Sequence, residues 1–132
     1  MTAKFIGQAN FLSLTEQSIT VALSDEKSVN VVGTNKIKFV APFNMMLTRL
    51  PKIYLSTVST SGVTTIDLLK NGVSILSTLI TVDYASKSSV TAAIPAVISN
   101  GSFSEDDEIS CNLTTVGTGV LGIKMTIYYK RA

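Results

Sequence analysis

Histidine and tryptophan are absent from this chain, and cysteine occurs once, at Cys111. Without histidine there is no Ser-His or Cys-His catalytic pair, and a Cys/His zinc site is excluded with them. A single thiol forbids an intrachain disulfide and fits folding under reducing conditions. Charge is sparse: 15% of residues carry it, for a net +2. The eleven basic residues are scattered, with Lys130-Arg131 the one adjacent pair. No basic stripe tracks a phosphate backbone, so no nucleic-acid partner is expected. No run approaches the roughly 20 apolar residues of a membrane-spanning helix. The opening MTAKFIGQANF lacks the continuous apolar core of a signal peptide, so synthesis in a cytoplasm is expected and a membrane partner is not.

What is present points to strands. Serine and threonine make up about a quarter of the 132 residues, while Glu, Gln, Lys and Arg are few. That bias, with Val, Ile and Thr usage, favours a pleated, half-buried backbone. At this length the chain is one domain with room for a two-layer core, and 45% hydrophobic content fits a folded chain.

The organising stretch is Val63 to Ser77, VTTIDLLKNGVSILS. Asn71-Gly72 sits between two apolar-rich runs, and a two-residue type I′ hairpin turn needs positive φ at both central positions. Upstream, Thr64, Ile66 and Leu68 share one face at the period of two that a strand requires. Downstream, Val73, Ile75 and Ser77 alternate with Ser74, Leu76 and Thr78, and the run continues through Val82.

Other strands follow the same signal. Ser18 to Ser24 places Ile19, Val21 and Leu23 on one face of a half-buried strand, and Ser24 to Ser28 is a solvated turn. Val29 to Val32 reads as a short strand before a Gly33-Thr34-Asn35 turn. Lys36 to Ala41 alternates until Pro42, which cannot donate a ladder hydrogen bond and so ends the strand or confines it to an edge. Met45 to Val58 is longer but broken near Pro51, where a bulge or a bend is expected, one way for a strand to cross between the two sheets of a sandwich. Ala85 to Ser99 reads as a long connection, Asn100-Gly101 as a turn. Ile109, Cys111 and Leu113 share a face, and so do Leu121, Ile123, Met125, Ile127 and Tyr129. The expectation is an all-β, single-domain antiparallel β-sandwich, jelly-roll-like, with about eight strands. Residues 1–17 form an N-terminal arm or first strand, and 18–132 the sandwich.

Within the arm, Phe5, Ile6, Phe11 and Leu12 are large and apolar in a segment of weak periodicity. Either they complete the domain's own core or they form an interface with a neighbouring subunit. Glu105-Asp106-Asp107-Glu108 is the one acidic cluster. Carboxylates suit calcium, but neighbouring strand residues point to opposite faces, and a solvated turn guarding a strand end is the simpler reading. Asp67 and Asp83 would need a cleft to serve as an acid–base pair. Tyr54, Tyr84, Tyr128 and Tyr129 suit packing better than a sugar platform. Cys111 reads as a small buried hydrophobe. No catalytic, cofactor-binding or metal-binding residue is expected, and no small-molecule substrate.

Five motifs, taken in order, resemble a β-sandwich family among virion structural proteins of tailed bacteriophages. They are Lys36-Ile37-Lys38-Phe39-Val40-Ala41-Pro42, Met46-Leu47-Thr48, Ile66 through Leu76 around Asn71-Gly72, Asp106-Asp107-Glu108-Ile109, and Gly117 through Ile127. The resemblance covers roughly Lys36 to Ile127. Cys111-Asn112 stands where an acidic residue would be expected, so no acidic or metal site comes with it. Such proteins are similar to head-decoration, cement and fibre proteins. The resemblance therefore implies a non-enzymatic capsid decoration or cement protein, assembled as a homotrimer on the major capsid protein or another virion protein. The alternative is a fibre or receptor-recognition module for host carbohydrate.

Overall fold

The Asn71-Gly72 turn has the expected form: φ is 50° at Asn71 and 83° at Gly72. It joins strands β5 (Thr64–Lys70) and β6 (Val73–Ser74), with Lys70 opposite Val73 and Leu69 opposite Ser74. The computed structural model describes residues 15–132. Besides that pair it contains β1 (Gln17–Ala22), β2 (Gly33–Val40), β3 (Met45–Leu47), β4 (Lys52–Thr57), β7 (Leu76–Thr78) and β8 (Ile80–Val82). A 3-10 turn at Ser89–Thr91 precedes β9 (Val97–Ile98), β10 (Ser102–Phe103), β11 (Glu108–Thr115) and β12 (Leu121–Arg131).

Every pairing between strands is antiparallel. One sheet runs β1-β12-β3-β10, with β4 continuing the place of β3 beside β12. The other runs β2-β11-β5-β6, with β8 continuing the place of β6 beside β5. Joining the interrupted pairs leaves eight strand lines. Their order is first-eighth-third-sixth in one sheet and second-seventh-fourth-fifth in the other, which is the order of a jelly roll. The small β7-β9 ladder lies apart from both sheets.

One apolar cluster draws on both sheets. Ile53, Leu55, Ile123, Met125 and Ile127 come from the first, and Ile66, Leu68, Ile109, Cys111 and Leu113 from the second. Each sits at alternate positions of its strand, as the period of two requires. Burying each such aliphatic is worth roughly 1.5–3 kcal/mol.

Five local expectations are corrected. Val29 to Val32 is not a strand; its three valines are exposed, and only Asn30 turns inward, donating from Nδ2 to the Val120 carbonyl at 2.9 Å. Gly33-Thr34-Asn35 is not a turn but the start of β2. Three of its residues, Thr34 to Lys36, face Asn112 alone, because Asn35 takes φ 51° and its N–H is accepted by Asn112 Oδ1. The Pro51 break is a bulge, but β3 and β4 stay in one sheet, both beside β12. Val73 to Val82 is not continuous: it leaves β5 after Ser74 and returns at Ile80. Ile75 and Leu76 are consequently both buried, although they alternate in sequence. Ile19, expected to be half-buried, is 41% exposed near the start of β1.

Candidate docking surface

The candidate interface residues Phe5, Ile6, Phe11 and Leu12 lie outside the described residues. The described chain begins at their root, and that root is clamped. Glu16 accepts hydrogen bonds from Thr48 Oγ1 and from the Arg49 guanidinium, whose Nε lies 2.9 Å from Oε2. These contacts, the Thr48 hydroxyl first and Arg49 next, hold the Glu16 carboxyl below its ordinary value. Arg49 in turn lies over the Tyr128 ring, 4.7 Å from its centroid, with Lys52 at 5.4 Å. The clamp therefore crosses β12 on the outer face of its sheet, since Tyr128 alternates with buried Ile127.

Thr48 and Arg49 belong to the bulge between β3 and β4. Four residues, Thr48 to Pro51, stand where β12 offers only Ile127 and Tyr128. The displaced chain forms one wall of an apolar groove of about 340 Å³. Leu50 and Pro51 line that wall, Val90, Pro95 and Ala96 line the facing one, and buried Ile80 lies between them. The facing wall is held to β4 by three contacts. Ile53 N–H donates to Ser89 Oγ at 2.9 Å, Leu55 N–H to the Lys87 carbonyl at 2.7 Å, and Tyr54 bridges to Ser88. Val90 at 65% exposure and Ile94 at 67% leave this loop with apolar surface facing water.

The acidic cluster does not converge. Asp107 accepts from Ser104 N–H at 2.8 Å and from Asn71 Nδ2 at 3.0 Å, in that order of effect, which keeps its carboxyl low. Glu108 pairs with Lys38 at 3.2 Å, and its N–H donates to Asn71 Oδ1 at 2.8 Å. Two motifs read separately in sequence thus meet: the hairpin tip grips the start of β11. Among the described residues no three acidic or thiol groups come close enough to hold a metal ion. Asp67 accepts from Ser74 Oγ at 2.5 Å and Asp83 from Ala93 N–H at 2.9 Å, so each carboxylate holds a local turn. The tyrosines are dispersed: Tyr129 packs against Phe43, Tyr128 lies under the clamp, and Tyr54 lies near Lys124. Cys111 is buried with its sulfur 3.8 Å from that of Met125, and burial pushes its thiol up to about 12.

Sequence reading singled out the apolar arm but not its anchor or the groove. Pro51 flagged the bulge, and the Ala- and Pro-containing loop was visible, but nothing in either stretch says that they face each other. No family model matches the chain, and neither a curated protein nor a solved structure matches it significantly.

Proposed function

We propose that this chain is a non-enzymatic structural protein of a tailed-bacteriophage virion, made in the host cytoplasm and assembled as a homotrimeric capsid decoration or cement protein. The observation that carries the reading is the jelly-roll strand order, an architecture used by viral capsid domains as well as lectins. A fold alone does not carry a function. Assembly is supported by the apolar surface that the described residues leave open beside the clamped root of the arm, since exposed apolar patches of this kind mark interaction sites. A trimeric ring suits heterologous contacts, in which each subunit offers one surface and receives another.

Light scattering across micromolar concentrations tests the oligomer: a trimer is expected, and a monomer throughout would remove the assembly part. Electron microscopy of the particle carrying this chain tests its place. Density on the capsid surface is expected, and density at the tail tip would favour the fibre alternative. For that second reading the specific observation is the exposure of Tyr54 and Tyr84, at 47% and 61%. Saturable binding on a glycan array, lost in Tyr84→Ala, would support it instead.

A further inference from the structure

We infer that Asn100 is a site of spontaneous covalent modification, at which the side chain closes on the Gly101 peptide nitrogen and converts to aspartate and isoaspartate. Asn71, in the same Asn-Gly dipeptide, is protected. Both asparagines are exposed, so access to water does not separate them. What separates them is where each carboxamide is held. Asn71 Nδ2 donates to Asp107 Oδ1 at 3.0 Å, and Asn71 Oδ1 accepts from Glu108 N–H at 2.8 Å. The Asn71 N–H donates to the Glu108 carbonyl, also at 2.8 Å. Both ends of that amide are thus held against the start of β11, and neither is free to turn toward Gly72. Asn100 Oδ1 instead accepts from Ser102 N–H, two residues on, at 3.2 Å. Such a local ring folds the carboxamide back over the following peptide, here that of Gly101. Among the described residues it is the one hydrogen bond the Asn100 side chain makes, and it leaves Nδ2 unheld.

The chemistry needs no group beyond the turn itself and solvent water. The Gly101 nitrogen bonds to Asn100 Cγ, and Nδ2 leaves as ammonia with the proton that the nitrogen gives up. The product is a cyclic imide. Water adding at Cγ breaks the new bond and leaves aspartate. Water adding at the Asn100 main-chain carbonyl breaks the original peptide bond and leaves isoaspartate, with nothing oxidised or reduced. In isoaspartate the main chain runs through Cβ and Cγ, so it is longer by one methylene. That extra length falls between two anchors. Ser99 and Asn100 N–H donate to the Ile75 carbonyl at 2.7 and 3.2 Å, and Leu47 N–H donates to the Gly101 carbonyl at 2.8 Å. Just beyond, β10 pairs with β3, and Phe103 is buried. Conversion therefore loosens β10 on its sheet and places a negative charge beside it, whether or not the chain assembles.

The test ages the full wild-type chain in neutral buffer and, in parallel, unfolded in urea, with an unaged sample as the baseline. Tryptic peptides 71–87 and 88–124 separate the two sites, and fragmentation in the mass spectrometer locates each acid that replaces an amide. In the folded chain Asn100 should convert about tenfold faster than Asn71 or more, because two side-chain hydrogen bonds must break before Asn71 reacts. In urea the two rates should converge. Equal rates in the folded chain, or Asn71 ahead, would overturn the inference. So would an intact Asn100 over a period in which the unfolded chain converts. Gly101→Ala supplies a second measurement. An added Cβ there meets nothing closer than 3.5 Å, and the backbone is not left-handed, so the fold should be kept. Conversion at Asn100 should slow, because the new Cβ crowds the attacking nitrogen, and an unchanged rate would count against attack by that nitrogen. The aged wild-type chain, scored for isoaspartate by methyltransferase labelling, should melt lower as its isoaspartate content rises. An unchanged melt at high content would overturn the loosening of β10.

Discussion

The fold interrupts two of its strand lines, and the described residues fill only one of the gaps. Beside β5, two residues, Asp67 and Leu68, face five of the partner chain, Ile75 to Leu79. That excursion is taken up by β9. Ser99 and Asn100 N–H both donate to the Ile75 carbonyl, and Leu76 pairs with Ile98. The displaced side chains Ile75 and Leu76 are 1% and 6% exposed. Beside β12 the bulge Thr48 to Pro51 has no such strand over it among the described residues. Leu50 is left 37% exposed, facing the Val90 wall across open space. A bulge re-aims side chains wherever it occurs. Whether the result is core or docking surface depends on what the rest of the chain brings to cover it.

The largest expected effect separates the two interruptions directly. Ile75→Ala should cost about 2–5 kcal/mol of folding stability, since it leaves a cavity in close-packed surroundings. Leu50→Ala, made on the isolated subunit, should cost under about 1 kcal/mol, because little of its contact is lost. Urea unfolding of both variants checks this. Equal costs would mean that the groove is already filled and that the contrast is false.

The next effect concerns the hairpin feeding the filled interruption. Gly72 has no atom within 4 Å of an added Cβ, so a substitution there meets no steric neighbour. Its φ of 83° is the obstacle. Gly72→Val should therefore cost about 1 kcal/mol or more, through backbone conformation alone. Gly72→Asn should recover part of it, because asparagine tolerates the left-handed region. An unchanged melting temperature in the valine variant would show that β6 does not depend on this turn.

Sequence reading saw the alternating strands and the hairpin turn well, and the Val73 to Val82 interruption and the groove poorly, for a physical reason. Alternation at Thr64-Ile66-Leu68, Ile109-Cys111-Leu113 and Ile123-Met125-Ile127 reports which face is buried, and all nine of those residues are buried. Asn71-Gly72 and Pro42 are local backbone constraints, equally legible. The Val73 to Val82 run misled because every residue in it suits a strand. The break comes from Ser74, whose hydroxyl bridges Asp67 and the Leu76 carbonyl, and from competition by the distant Ser99. Asn35 was read as a turn residue because positive φ serves bulges as well as turns. For the candidate surface, the apolar arm was legible, whereas the groove joins Leu50 to Val90 across 40 positions of chain and has no local signature.

The smallest expected effect lies at the open interruption and is a dependence on pH. The Glu16 carboxyl is held below its ordinary 4.5 by the Thr48 hydroxyl and the Arg49 guanidinium. A carboxyl depressed on folding adds stability above its unfolded pKa and loses it as the pH falls through the folded one. The contribution of the clamp is therefore fully present at neutral pH, begins to weaken as the pH falls below about 4.5, and is lost only as the pH passes through the lower folded-state pKa. Asp107, at the hairpin tip, is depressed as well, by Ser104 and Asn71, so the wild-type chain should also weaken there in acid. Glu16→Gln isolates the open side. Its melting temperature should fall below that of the wild type at pH 7 by less than for Gly72→Val, because an exposed ion pair contributes little. The gap between Glu16→Gln and wild type should start to narrow below pH 4.5 and close once the pH has passed the depressed folded-state pKa, because only then is the wild-type carboxylate neutral too. A gap that persists in acid would show that Glu16 acts by shape and not charge. The clamp would then not be an electrostatic anchor for the arm.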